Sequence, residues 1–259
     1  MRRLRAITLI LLLMVIIAGL ASHTLRSNDV IYRGKRLSQW MEGINVIHGS
    51  RNDPSAIAFL ELGKKAVPFL AERVSGPITF PDKVREWIRP RLSPSLRIKL
   101  SVPDHWNVNA KAAWLLGEIG SDARVAVPAL RTALNDPQPI VRASAAEALG
   151  LIRDDSRETV EALTASLQSA SDGGIRYKAA EALGRLGGRA KSALPALFKV
   201  LKTNDPLTRC VAAGAVLAID PEKAPIVLPA LREPGMSVDE LLDLQTRAEA
   251  QAAAKAGVK

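Results

Sequence analysis

One short string of small residues occurs four times in this chain at nearly constant spacing, and it limits the fold more than any other feature. Ala112-Ala113-Trp114-Leu115-Leu116-Gly117, Ala145-Ala146-Glu147-Ala148-Leu149-Gly150 and Ala179-Ala180-Glu181-Ala182-Leu183-Gly184 align without adjustment. Ala212-Ala213-Gly214-Ala215-Val216-Leu217 keeps the small pair and loses the final glycine. The second alanine of each pair falls at 113, 146, 180 and 213, a period of 33 or 34 residues. Self-similarity of that length marks one supersecondary unit stacked on copies of itself.

A second signature runs in phase. Pro128-Ala129-Leu130, Pro195-Ala196-Leu197 and Pro229-Ala230-Leu231 hold one point of three units, and Glu161-Ala162-Leu163 holds it in the fourth. Proline fits the first turn of a helix, where its missing N–H costs nothing. Each unit therefore reads as helix A, a short turn containing glycine in three of the four, and helix B. Asn135-Asp136-Pro137, Ser171-Asp172-Gly173-Gly174 and Asn204-Asp205-Pro206 separate the units. In these turns aspartate caps free N–H groups and proline opens the next helix. The alanine pairs let neighbouring A helices approach closely, while Leu149, Ile152, Leu183 and Leu186 fill the space between layers. A unit of this kind cannot bury its own apolar face, so stacking is obligatory. Apolar residues make up 47% of the chain and aromatics only 4%, a balance suited to many small helix–helix contacts.

Arginine also recurs four residues before the second alanine, at Arg142, Arg176 and Arg209. Asp172 and Asp205 lie four residues before the last two, a spacing that allows helical pairing. Two roles are open, a basic ligand-binding stripe and a structural Asp–Arg ladder between layers, and the sequence favours the ladder.

The pattern Asp-Pro, Val-Arg, Ala-Ala-Glu-Ala-Leu-Gly and then Pro-Ala-Leu resembles HEAT repeats, over about residues 108–232. Its short period is similar to the bacterial HEAT-like repeats also found in phycobilin lyases. The resemblance implies an all-α solenoid of stacked antiparallel helix pairs that binds a protein partner on its B-helix face. By repeat phase the polar B-helix positions are Arg131, Gln168, Lys199 and Lys202. A phycobilin-lyase-like or other small-ligand-handling enzyme is the alternative that the resemblance carries.

Residues 56–75 read as a degenerate earlier unit: Leu60-Glu61-Leu62-Gly63 mimics the end of helix A and Val67-Pro68-Phe69-Leu70 the start of helix B. Residues 26–55 before it read as a linker and lead-in helix. There Tyr32-Arg33-Gly34-Lys35-Arg36-Leu37-Ser38-Gln39-Trp40 is extended up to a Ser38 helix cap, a pattern that resembles exported bacterial HEAT-like proteins. Residues 76–107 interrupt the array with five prolines, six basic residues, Trp87 and Trp106. Tryptophan beside arginine suits a binding surface or a membrane interface. Ser237 and Glu240 form a capping-box pattern that opens a C-terminal capping helix and tail over 233–259.

At the other end, Arg2, Arg3 and Arg5 precede an apolar run from Ala6 to Ala21, the layout of a targeting segment. The run would reach about 24 Å as a helix. Extended to Leu25 it has about 20 residues, enough to span a bilayer. Two outcomes stay open: an uncleaved transmembrane anchor formed by residues 6–25, or a signal peptide cut after Ala21. Both place the repeats outside the cytoplasm, periplasmic if anchored. The net charge of +10 is concentrated near this segment, with +6 in residues 26–108 and only +3 in 109–232. That distribution suits an anionic lipid surface better than nucleic acid, which would draw charge into the repeats.

Little in the sequence supports catalysis. His23, His48 and His105 sit beside no nucleophile motif, and no His-Glu pair of the di-iron hydroxylase type occurs. The single Cys210 excludes an internal disulfide and a Cys-rich metal site. The expectation is a binding protein without cofactor or metal.

Overall fold

The structure is a computed structural model that describes residues 29–44, 51–75, 105–169, 172–203 and 205–227. The residues 6–25, the insertion as far as residue 104 with Trp87, and the C-terminal helix opened by Ser237 lie outside the described residues. Among the described residues no helix is long and apolar enough to cross a membrane.

The chain enters as a small antiparallel hairpin, β1 (Ile31–Tyr32) and β2 (Lys35–Arg36). Its two-residue turn places both Arg33 and Gly34 at positive φ, as a primed hairpin turn requires. Helix α1 (Leu37–Glu42) follows at once. The expected extended linker with a Ser38 cap is therefore corrected on both counts. Arg36 is the N-cap, its N–H donating to Gln39 Oε1 at 2.9 Å. Ser38 is already helical and donates from N and Oγ to Asp29 at 2.9 and 2.8 Å. The hairpin brings Asp29 back over the first turn, so a residue distant in sequence satisfies the free N–H that a local cap would otherwise take.

Helices α2 (Pro54–Leu62) and α3 (Val67–Ser75) form the first pair, joined by the 3-10 turn Gly63–Ala66. The next pair is α4 (His105–Ile119) and α5 (Val127–Ala133), joined by the longer 3-10 turn Gly120–Ala126. Then come α6 (Pro139–Ile152) with α7 (Arg157–Ser169), and α8 (Gly173–Leu186) with α9 (Leu194–Val200) across the 3-10 turn Gly187–Ala193. Helix α10 (Pro206–Ile219) is the last A helix described, followed by the short turn Pro221–Lys223.

The helices begin where backbone chemistry starts them. Asp53, Asp172 and Asp205 accept from the N–H two residues on, at Ser55, Gly174 and Leu207. Pro54 and Pro206 supply the preset φ of a first turn, and Pro128 and Pro195 do the same for α5 and α9. Four A helices end on a residue at positive φ: Gly63, Gly120, Arg153 and Gly187.

The A helices α4, α6, α8 and α10 stack in order, and each B helix α5, α7 and α9 packs on the A helix of the following unit. Helix α3 packs directly on α4 and α5, so the degenerate pair belongs to the same stack despite the insertion in sequence. The core is continuous from Leu37 and Phe59 through Leu116, Leu149 and Leu183 to Val216 and Val227. Close approach in the A layer depends on glycine. A Cβ on Gly117, Gly150 or Gly184 would lie 2.9, 2.7 or 3.0 Å from the Cα of Ala148, Ala182 or Ala215 in the next A helix. The fourth unit has Leu217 at that position.

Candidate interaction surface

The lead-in hairpin is locked to the stack by side chains that the repeat pattern does not contain. Tyr32 Oη donates to Glu61 Oε2 at 2.5 Å, and Arg33 donates to the same carboxylate at 3.1 Å. That contact raises the Tyr32 hydroxyl above its usual range. Trp40 Nε1 donates to the Tyr32 carbonyl at 3.0 Å while the Lys35 ammonium lies 4.7 Å from the Trp40 ring centre. On the other side Lys111 of α4, only 7% exposed, donates to the Met41 carbonyl at 3.2 Å. Burial lowers the Lys111 ammonium from its ordinary value, opposed by the charges of Glu42 and Asp53. Lysine here closes the C-terminal end of α1, where carbonyls lack helical partners.

Layers are also joined by ion pairs between consecutive units. Lys178 of α8 reaches Glu147 of α6 at 2.6 Å and Glu181 of its own helix at 3.3 Å, and Arg185 reaches Glu181 at 2.8 Å. Burial pushes Glu181 upward, but the Arg185 hydrogen bond and the Lys178 charge outweigh it and hold the carboxyl below its usual range. Burial likewise lowers Lys178, and the Glu147 carboxylate more than restores it, leaving the ammonium raised. Arg189 pairs with Asp155, and Arg51 with Glu118.

The repeated arginines and aspartates make backbone contacts first. Arg142 Nη1 donates to the Asp136 and Pro137 carbonyls at 2.8 and 3.0 Å, and Arg209 Nη1 to the Thr203 carbonyl at 3.1 Å. Each guanidinium thus clasps the turn that delivers its own helix. Asp172 and Asp205 cap the N–H groups of Gly174 and Leu207. The Asp205 carboxyl is held low by its Thr208 hydrogen bond and, further down, by the charge of Arg176 in the preceding layer.

The B helices carry the polar positions expected from repeat phase. Gln168 on α7 and Lys199 on α9 are exposed, and Lys202 just beyond α9 is half-buried. Arg131 on α5 is half-buried and lies 3.7 Å from Glu158 of α7. Two rows run across the units, Arg131–Ala165–Lys199 and Asn135–Gln168–Lys202, and every member but Arg131 and Lys202 is exposed. Glu158 and the Arg157–Glu161 pair, 2.7 Å apart, interleave with them. Sequence phase identified the basic and amide groups but not these acids, which carry no repeat signal. The face offers hydrogen bonds and charges of both signs. Trp106 falls in the first turn of α4; its side chain, like Trp87, is outside the described residues and is not placed beside the rows. Among the described residues no group of His, Cys, Asp and Glu could hold a metal ion.

A family model described as HEAT repeats matches residues 93–184 and 160–253 of the chain. Among curated proteins no relative matches. Among solved structures, the crystal structure of an engineered protein from the Northeast Structural Genomics Consortium is similar at 22% identity and a TM-score of 0.41. The match covers 82% of this chain and 94% of that one.

Proposed function

Because the chain belongs to the HEAT-repeat family, we propose that it is a non-catalytic scaffold whose B-helix face captures a protein partner. The observation that carries this reading is the pair of rows Arg131–Ala165–Lys199 and Asn135–Gln168–Lys202. They repeat with the units, and Gln168, Lys199 and Asn135 face solvent. Stacking consumes the apolar positions of each B helix, so these outward groups are spare. Lysine, arginine and amide groups interleaved with Glu158 and Glu161 suit an extended polar segment with acidic side chains.

The scaffold is held at a membrane by residues 6–25, or exported after their cleavage, with the repeats on the extracytoplasmic side. Two features of the lead-in hairpin support a lipid surface beside it. Val30 and Ile31 are exposed large apolar residues, 44% and 64%, and Arg33, Lys35 and Arg36 follow them immediately. Apolar side chains beside basic ones suit the interface of an anionic bilayer.

The test is charge reversal at Arg131, Lys199 and Lys202 in the full-length protein, followed by cross-linking in native membranes and identification of what co-purifies. Partner recovery should fall several-fold while the thermal midpoint stays near that of the wild type. Undiminished capture with all three reversed removes the B-helix face from the proposal.

A further inference from the structure

Resting on the membrane reading above, we infer that the edge of the stack where A helices hand over to B helices docks on an anionic lipid bilayer. Four residues before the point marked by Pro-Ala-Leu, each of four successive units carries one cation. Lys64 precedes Pro68, Arg124 precedes Pro128, Arg157 precedes Glu161 and Lys191 precedes Pro195. All four are exposed. The turns that bear them adjoin one another. Gly63–Ala66 packs on Gly120–Ala126, α7 packs on Gly187–Ala193, and Arg189 of that last turn pairs with Asp155 of the turn before it. The cations therefore form a ladder along one edge, with rungs one helix layer or about 8–10 Å apart. Helix stability does not account for it. The start of a B helix carries positive partial charge and favours acids, so a cation there has the wrong sign.

The acids of the same edge are largely drawn inward. Asp154 accepts from Ser156 Oγ and Thr159 Oγ1 at 2.5 Å each, Arg189 holds Asp155, and Glu158 lies 3.7 Å from Arg131. Among the described residues Arg157 pairs with Glu161, a surface contact that is weak in water, and Lys64, Arg124 and Lys191 make no ion pair. Apolar side chains stand beside the ladder. Val125, next to Arg124, is 72% exposed. The lead-in hairpin with its exposed Ile31 lies at this edge too, because Tyr32 and Arg33 both hold Glu61, one residue before the end of α2. A straight line of cations with apolar groups among them fits the headgroups and acyl boundary of an anionic bilayer. An acidic peptide would use the cations and leave Val125 and Ile31 in water.

The test uses the full-length protein in nanodiscs of phosphatidylcholine alone and of phosphatidylcholine mixed with phosphatidylglycerol. A nitrobenzoxadiazole label at Val125→Cys, in a Cys210→Ser background, should shift to the blue and be quenched by doxyl lipid in the anionic discs only. The same label at Gln168→Cys should stay aqueous in both. Combining Lys64→Glu, Arg124→Glu and Lys191→Glu should cut the quenching at position 125 at least about tenfold, since each basic group adds to attraction by anionic lipid. The thermal midpoint should hold or rise slightly, because acids suit a helix N-terminus. A label at 125 that stays in water on anionic discs, is quenched equally in neutral ones, or ignores the three reversals overturns the inference. Where the protein still enters the discs, such a result leaves the anchor reading standing; a protein that never enters them sinks both. A label that ignores lipid but responds to polyglutamate overturns it as well, and assigns the ladder to an acidic protein segment.

Discussion

Gly150 and Ala182 approach so closely that a Cβ on the glycine would stand 2.7 Å from the Ala182 Cα. The contact is backbone against backbone, so no side-chain rotation relieves it. Gly214, which holds in α10 the place of Glu147 in α6 and Glu181 in α8, has nothing within 4 Å of its would-be Cβ among the described residues.

The same substitution should therefore act with opposite sign at the two sites. Gly150→Ala should lower stability by about 1–3 kcal/mol, the usual range for overpacking a tight interface. Gly214→Ala should raise it by roughly 0.5–1 kcal/mol through helix propensity and lost unfolded-state freedom. Urea midpoints of the two variants, measured side by side, check the assignment. Equal shifts in one direction would show that the A-layer spacing is not set at Gly150.

Arg153 should gain from becoming glycine. It ends α6 at φ 56° and ψ 44°, where the equivalent residues Gly120 and Gly187 have no Cβ to strain. Its side chain is exposed and no ion pair holds it among the described residues. Relief of left-handed backbone strain is worth about 1 kcal/mol. Arg153→Gly should raise the thermal midpoint by a few degrees, whereas Gly187→Arg should lower it. A lower midpoint for Arg153→Gly would mean that the arginine side chain supports the turn.

The Lys178 cluster should give stability a limb at each pH extreme. Glu181 titrates below its ordinary value in the folded protein, so its contribution is present above the normal carboxylate range and lost as pH falls through the lowered value. Lys178 titrates above its ordinary value, so its contribution is complete below the normal lysine range and lost as pH rises through the raised value. Lys111 has the reverse sign: its lowered ammonium favours the fold progressively as pH rises toward the ordinary lysine value. Glu181→Gln should flatten the acid limb in urea titrations between pH 3 and pH 6, by about 0.5–1 kcal/mol for a partly exposed pair. An unchanged limb would place the acid sensitivity elsewhere.

The repeating architecture was legible because period and composition agree: the alanine pairs, the in-phase prolines and the Asp turns each mark the same unit. The boundaries of α6, α8 and α10 follow directly from them. What the repeat concealed was which small residue sets the spacing. The alanine pair is buried, but closest contact passes from the glycine to the third alanine, a relation between adjacent units that no single unit displays. Four-residue spacing suggested Asp172 with Arg176 and Asp205 with Arg209. Groups at helix ends compete for such side chains: Asp172 and Asp205 accept from Gly174 and Leu207, and Arg209 donates to the Thr203 carbonyl. The lead-in failed for a related reason: Asp29 reaches Ser38 only because a hairpin folds the chain back, and the left-handed Arg33 carries no local signal for it.

The glycine contacts have a mechanical reading. Backbone packed so closely that no Cβ fits between the layers makes the A layer stiff, like the spine of a bound book. The B layer is fastened there by looser means, among them the 3.7 Å Arg131–Glu158 pair with its carboxylate side chain 68% exposed. Pages fixed along one edge can still fan at the other. A bound segment could spread or gather the outer helices by bending connections such as Asp154–Ser156, without sliding any glycine from its alanine. Shape change in this protein would then be a rotation about the A layer, felt most at the face where the rows of Gln168 and Lys199 stand.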